Sequence, residues 1–352
     1  MTDPTVKTFA ALPLQLECRA VNMLSVDEAR ASMLESISHC RDLIAGAKAF
    51  YSSFAGEAVR LVVLPEYFMT SFPMGESIAE WQDKACIHWD GPEYDAIAAI
   101  AQDQGIYLSG NAYEVDPAFP ELYFQVSFIF DPAGTLQLRY RRLISMFAPT
   151  PHDVLDAFLD HYGAEALFPV IDSPLGRLAC VASEEILYPE ICRALALAGA
   201  EVLCHSSSEI GSPQSTPKNI AKQARAWENM CYVVSANSAA ITGIPFPSRS
   251  TDGHSQVVDY RGKVMAEANY GESMNGAAPI DVEALRRARR RPSMANSLAR
   301  QRLDLFASVY GGQTLYPGNT LLVDGVTQVP DRQHFRDVLS GVIDGLKSRR
   351  LI

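Results

Sequence analysis

An α/β fold is predicted from three features of the chain. Residues 176–190 pass from strand to helix chemistry within a few positions: 178–182 are a short apolar run, and Pro189, with Glu190 behind it, stands where a first-turn proline opens a helix running to about 200. Residues 60–64 form a second compact run, rich in branched side chains and broken at Pro65. The third feature is capacity, because 352 residues with 48% hydrophobic content can bury a large core, as one big domain or two ordinary ones.

The remaining elements follow in order. Residues 9–22 read as a first strand and its exit, and 26–51 alternate apolar and polar residues at helical spacing. Helical character continues over 78–104, with a loop around Gly91-Pro92. Residues 105–112 read as the next strand and 123–130 as its hairpin partner, ended by the turn sequence Asp131-Pro-Ala-Gly134; 136–143 is a further strand. Beyond 190 come a strand at 202–204, a helix at 219–231, a strand at 232–237, and a hairpin of 256–259 with 264–267. Five arginines in the six positions 286–291 read as a solvated helix face rather than a nucleic-acid patch. The last stretch, 311–352, holds a Pro-Gly turn and a helical run from about 331 to 349.

Two positions are singled out by where they fall. Ser183 occupies the turn between strand and helix, where a side chain is held clear of the sheet beside backbone N–H groups able to stabilise a developing negative charge. Glu66 follows a strand, and open α/β sheets place their active sites at strand C-terminal ends. Five blocks then line up: Leu64-Pro-Glu66, Tyr140-Arg-Arg142, Ser183 with Tyr188-Pro-Glu190, Arg225-Ala-Trp-Glu-Asn229, and Gly253-His-Ser255. In order and spacing they resemble the nitrilase, or carbon-nitrogen hydrolase, superfamily over residues 8–310. The resemblance implies a four-layer αββα sandwich, usually paired through another subunit. It assigns 1–310 to the hydrolase-like domain and 311–352 to a C-terminal extension that forms oligomer contacts, giving a homodimer or larger assembly.

It also implies a Glu, Lys, Cys triad, of which this chain keeps only Glu66. Arg142 fills the lysine position, Ser183 the cysteine position of the Cys-x-Glu elbow, and Asp156 the place of a second, positioning glutamate before Gly163. In the superfamily the glutamate takes the thiol proton, the thiolate attacks an amide or nitrile carbon, and the lysine stabilises the tetrahedral intermediate. A serine hydroxyl does not ionise near neutrality, and a carboxylate with an unperturbed pKa of about 4.3 is a poor base for it. No histidine occupies a matching position. Arg142 keeps the positive charge in a wider, forked form that gives up its proton far less readily. The exchanges are read as mutually adjusted: smaller nucleophile, larger cation, shorter anion.

Three functions follow from these residues. One is hydrolysis of a small non-peptide amide, or a related acyl substrate, through Ser183, Arg142 and Glu66; nitrile hydrolysis is disfavoured, since it needs a stronger nucleophile. A second is a catalytically silent member that binds a small ligand. The third is a structural or regulatory subunit.

Composition narrows the partners. A net charge of -11 argues against nucleic acid or an anionic membrane, because phosphate binding needs clustered positive charge. No apolar run reaches the ~18 residues of a membrane helix, and Met1-Thr-Asp-Pro4 does not begin a signal peptide, so a cytoplasmic location is expected. The seven cysteines show no Cys-x-x-Cys pair and read as reduced core residues. No cofactor is implied. His152, Asp153, Asp156 and His161 lie close in sequence but lack metal-ligand spacing, so no metal site is expected. His205, after the 202–204 strand, admits either a structural hydrogen bond or a substrate contact.

Overall fold

The computed structural model describes residues 8–209, 216–245, 247–251 and 253–352. From its start the chain runs β1 (Thr8–Pro13), β2 (Glu17–Arg19), α1 (Val26–Ala55), β3 (Val59–Val63), α2 (Ile78–Ala85) and α3 (Pro92–Gln104). A meander of β4 (Tyr107–Asp116), β5 (Phe119–Phe130) and β6 (Leu136–Arg141) follows, then α4 (Leu155–Tyr162). Next come β7 (Ile171–Ser173) and β8 (Gly176–Ala182), a short 3-10 turn at Ser183–Leu187, α5 (Pro189–Leu197), β9 (Val202–Ser207), α6 (Pro217–Asn229) and β10 (Tyr232–Asn237). The chain continues through β11 (Ala240–Thr242), β12 (Gln256–Val258), β13 (Val264–Glu267), β14 (Ala278–Asp281), α7 (Val282–Arg290) and α8 (Leu303–Gly311). A small ribbon of β15 (Leu322–Val323) and β16 (Val326–Thr327) precedes α9 (Arg332–Ser348).

The strands gather into two six-stranded sheets, ordered β14-β1-β3-β4-β5-β6 and β13-β12-β10-β9-β8-β7. Alternation along the central strands explains why both faces of each sheet are covered. In β1, Phe9 and Ala11 join the core between the sheets, while Ala10 and Leu12 join the core beneath α1, α2 and α3. In β8, Cys180 and Ala182 face the other sheet, while Ala179 and Val181 pack with Ile191, Leu195 and Ala226 of α5 and α6. With a period of two, strands buried on both sides must read as continuous apolar runs. The result is the αββα sandwich. Pairing of β3 with β4 is parallel and β4-β5-β6 is antiparallel throughout, so β3 and β6 point the same way; β8, β9 and β10 are parallel to one another. Glu66, Arg142 and Ser183 each lie just past the C-terminal end of a strand, β3, β6 and β8.

Several boundaries differ from expectation, each for a local reason. β9 runs on through His205, Ser206 and Ser207, because these polar side chains find buried hydrogen-bond partners inside the sandwich. α6 begins at Pro217, with Thr216 capping the N–H of Asn219. The arginine run is only partly solvated: Arg286 pairs with Glu201 and Glu283, and Arg289 donates to the carbonyls of Ala200, Asn229 and Met230. The extension folds back on its own chain. Thr320 bonds Asp153, Leu321 packs with Val154 and Phe158, and Arg332 reaches the carbonyl of Pro73. The helix left uncovered is α8, which has no buried residue and exposes Leu305, Phe306, Val309 and Tyr310.

All seven cysteines are free and buried. No described helix is long and apolar enough to cross a membrane. The start at Met1-Thr-Asp-Pro4 lies outside the described residues.

Candidate active site

The site is built where the two sheets present their strand ends to each other. Strand β3 ends before Pro65, and Glu66 is almost wholly enclosed, with 3% of its surface exposed. Gln125, from the interior of β5, donates to its Oε1 at 2.9 Å, and the backbone N–H of Ser208 donates to its Oε2 at 3.2 Å. Arg142 leaves the end of β6 and meets the same carboxylate at 3.3 Å through Nη1, which also donates to Gln125 Oε1 at 2.6 Å. Its Nε donates to the carbonyl of Ile144 at 2.6 Å, and its other amino group pairs with Glu184. Burial weakens the guanidinium's hold on its proton, yet the charges of Glu66, Glu184 and Glu185 more than reverse this. Arg142 is thus a fixed cation, held on every branch of its fork.

Ser183 closes β8 at φ +48°, in the left-handed region that non-glycine residues seldom adopt. The strain is held in place by the groups around it. His205 lies completely buried in β9, with Nε2 at 2.8 Å from the Ser183 carbonyl and Nδ1 at 2.8 Å from Ser235 Oγ. A carbonyl can only accept, so Nε2 carries the proton and Nδ1 accepts from the serine hydroxyl. Burial, with the charges of Lys222 and Lys218 adding to it, keeps this imidazole well below its usual pKa, hence neutral. His205 is therefore a structural strut.

Glu185 braces the elbow from the other side. Its carboxylate accepts from Tyr140 Oη (2.7 Å), the N–H of Leu143 (2.7 Å), the N–H of Ile144 (3.1 Å) and the N–H of Ala182 (3.3 Å). The end of β6 and the end of β8 are thereby tied together. Burial pushes this carboxyl up to about 7, against the pull of Arg142 and its donors.

A further side chain stands beside Ser183 that its sequence position does not single out. Lys218, the second residue of α6, places Nζ 3.2 Å from Ser183 Oγ and 3.4 Å from Ser207 Oγ. The signal was present in Thr216-Pro217, a capping residue followed by a first-turn proline, which sets Lys218 at the mouth of the helix instead of in a loop before it. One turn further on, Lys222 is buried and donates to Asn219 Oδ1 at 2.9 Å; burial pulls it down to about 8.

Glu66, Gln125, Arg142 and Glu184 form one bonded set, while Ser183, next to Glu184 in the chain, meets Lys218 through Oγ, and Lys218 in turn reaches Ser207, whose carbonyl accepts from the Glu66 N–H. Asp156 does not join this set. It lies exposed in the first turn of α4, where its backbone N–H donates to Asn319 Oδ1, and the anion expected of it is supplied to Arg142 by Glu66 and Glu184 instead. Asp156 is therefore not a shorter anion adjusted to the larger cation. His152 and His161 lie against Tyr316 and Tyr162, Asp153 caps Thr150, and among the described residues no group of three acidic, His or Cys side chains could hold a metal ion. A largely apolar cavity of about 510 Å³, lined by Leu143, Ile144, Phe168 and Tyr188 among others, opens beside the segment that follows Arg142.

The family model described as carbon-nitrogen hydrolase matches residues 31–290. The chain belongs to the carbon-nitrogen hydrolase family. Among its relatives, the deaminated glutathione amidase of Yersinia enterocolitica is 27% identical over 212 residues, covering 59% of this chain and 71% of that one. A formamidase of Bacillus thuringiensis is 27% identical over 246 residues, 69% of this chain and 67% of the relative. In fold, the chain resembles a Saccharomyces cerevisiae member of branch 10 of the nitrilase superfamily, with a TM-score of 0.62 at 20% identity, over 84% of this chain and 99% of the other. A carbon-nitrogen hydrolase from Helicobacter pylori gives the same TM-score of 0.62 at 20% identity, over 86% and 98% of the two chains.

Proposed function

We propose that the protein hydrolyses a small non-peptide amide, or a related acyl compound, with Ser183 as nucleophile, Arg142 as a fixed electrostatic anchor and Glu66 as the carboxylate that holds it. The observation that carries this reading is the strained Ser183 at the end of β8, its hydroxyl 3.2 Å from the Lys218 amine instead of being buried in apolar packing. An amidase and a formamidase among the relatives support an amide substrate, and the formamidase a compact acyl group. A nitrile is a poor substrate for a serine hydroxyl, which is a weaker nucleophile than a thiolate. The competing reading, a silent ligand-binding member, draws on Arg142, whose donors are already taken by Glu66, Gln125, Glu184 and Ile144.

A covalent adduct separates the two. Intact-mass measurement after incubation with short activated acyl esters should show one acyl group per chain, lost in Ser183→Ala. A chain that stays unmodified, and that hydrolyses none of a panel of short aliphatic amides and N-carbamoyl compounds, would be a binding protein.

The reading includes assembly into at least a homodimer. Support comes from α8, whose exposed Phe306 and Val309 lie on a helix tied to the first turn of α5 by Tyr310 Oη donating to Glu190 at 3.0 Å, and from Leu197 and Trp227 exposed on α5 and α6. Large apolar side chains exposed together on one helix, as on α8, mark a surface that is normally covered. Light scattering at micromolar concentration should give a multiple of the chain mass, and Phe306→Glu with Val309→Glu should reduce it; a monomer in the unmodified protein would refute the assembly.

A further inference from the structure

We propose that Lys218 is the base that takes the proton from Ser183 Oγ and later returns it to the leaving nitrogen, a role that rests on Ser183 being the nucleophile. The chain's sequence exchanged cysteine for serine and lysine for arginine at the superfamily's positions, which leaves a hydroxyl without a base. Lys218 supplies one from a different element.

The argument begins with elimination among groups on the page. Glu66 has both oxygens occupied, Oε1 by Gln125 and Arg142 and Oε2 by the N–H of Ser208. His205 carries its proton on Nε2, toward the Ser183 carbonyl, and turns its lone pair to Ser235. Glu184 is paired with Arg142, and Glu185 accepts from four donors. Arg142 does not give up its proton. Among the described residues, Lys218 is the titratable side chain within hydrogen-bond reach of Ser183 Oγ, at 3.2 Å.

Charged and polar groups face it from several elements. On its own helix stand Lys222, buried one turn away, and the positive end of α6. Facing it from β9 are the neutral His205 and the hydroxyl of Ser207 at 3.4 Å, with Glu209 beyond, whose charge is felt at Lys222. Across the site, Arg142 is paired with both Glu66 and Glu184, a set that keeps one net negative charge.

The chemistry then closes. Unprotonated Lys218 Nζ accepts the Oγ–H proton as the Oγ–C bond forms, and the carbonyl electron pair moves to oxygen. When the carbonyl re-forms, the C–N bond breaks and the Lys218 ammonium delivers its proton to the departing nitrogen. Water attacks the acyl ester, giving one proton to Lys218; the C–Oγ bond breaks and that proton returns to Ser183. The sum is amide plus water to acid plus amine.

Phenylmethanesulfonyl fluoride, which forms an Oγ–S bond with loss of fluoride, tests the proton transfer without needing the substrate. A base of this type contributes about 10²–10⁴ in rate. Ser183 sulfonylation, followed by peptide mass, should accelerate about tenfold per pH unit up to the titration of Lys218. It should be at least ~100-fold slower in both Lys218→Met and Lys218→Arg, with the alkaline rise gone. Melting curves of the two variants establish that they are folded. Labelling of Lys218→Arg within about threefold of the parent, or an alkaline rise that survives in Lys218→Met, would show that the side chain supplies charge alone and overturn the assignment while leaving Ser183 as nucleophile. If the parent protein is sulfonylated in this Lys218-dependent way but cleaves no amide in the panel, the base assignment stands and the substrate reading falls. An unlabelled Ser183 at every pH removes the nucleophile and the base together.

Discussion

Arg142→Ala is expected to cost about 3–5 kcal/mol of stability, the usual result of removing one partner from a buried ion pair. The Arg142 side chain is 11% exposed and that of Glu66 4%, so the change strands a carboxylate with little access to water. Gln125 and the Ser208 N–H remain on that carboxylate, but neither carries charge. Because the loss belongs to the uncompensated anion rather than to the missing contact, Glu66→Gln combined with Arg142→Met should recover most of it. Urea denaturation of the two single variants and the double variant measures the coupling. A double variant as unstable as the sum of the singles would mean that the pair does not interact as described.

Glu185→Ala should be at least as damaging, though for a different reason. It orphans four donors at once, Tyr140 Oη and the N–H groups of Leu143, Ile144 and Ala182, and each unsatisfied buried donor costs about 1–3 kcal/mol. The expected outcome is a chain that accumulates in the insoluble fraction. Glu185→Gln keeps one acceptor oxygen and should fold with a smaller penalty. That penalty depends on pH. Burial raises the folded-state pKa of Glu185 to about 7, so its contribution is fully present below the unfolded value, near 4.5, and is lost as pH climbs through 7. Glutamine does not titrate. The stability gap between the parent and Glu185→Gln should therefore narrow from pH 5 to pH 8, and a gap that stays constant would contradict the assigned burial effect.

Much of the sandwich was legible because strands buried on both faces must be short, apolar and rich in branched residues, as 60–64 and 178–182 are. The turn at Ser183 was legible for the same reason, since Pro189 fixes where the next helix starts. Glu66 was singled out by its position after a strand, and Arg142 by filling the lysine position of the superfamily it resembles, inside an expected strand 136–143 that in fact ends at Arg141. What escaped was everything that depends on one sheet facing the other. Gln125 lies in the middle of a strand and reads as an ordinary interior polar residue, yet it bridges Glu66 and Arg142. Glu184 reads as a spacer between Ser183 and Glu185, yet it is Arg142's second anion. Lys218 is 35 residues from Ser183 in sequence, and no local spacing connects them. Asp156 erred in the opposite direction: its distance from Gly163 suggested a partner for Arg142, but α4 turns it toward solvent.

The division of the site between the two sheets also bears on how the protein becomes competent. Glu66, Gln125 and Arg142 come from the first sheet, and Ser183, His205 and Lys218 from the second sheet and the helix packed on it. Neither set holds both Ser183 and Arg142. A folding intermediate with one sheet formed, or a chain whose sheets had slipped past each other by one residue, about 3.3 Å, would keep its secondary structure and lack a reaction centre. Regain of the proposed activity after denaturation would report the docking of the layers, a step in which an error is silent to circular dichroism.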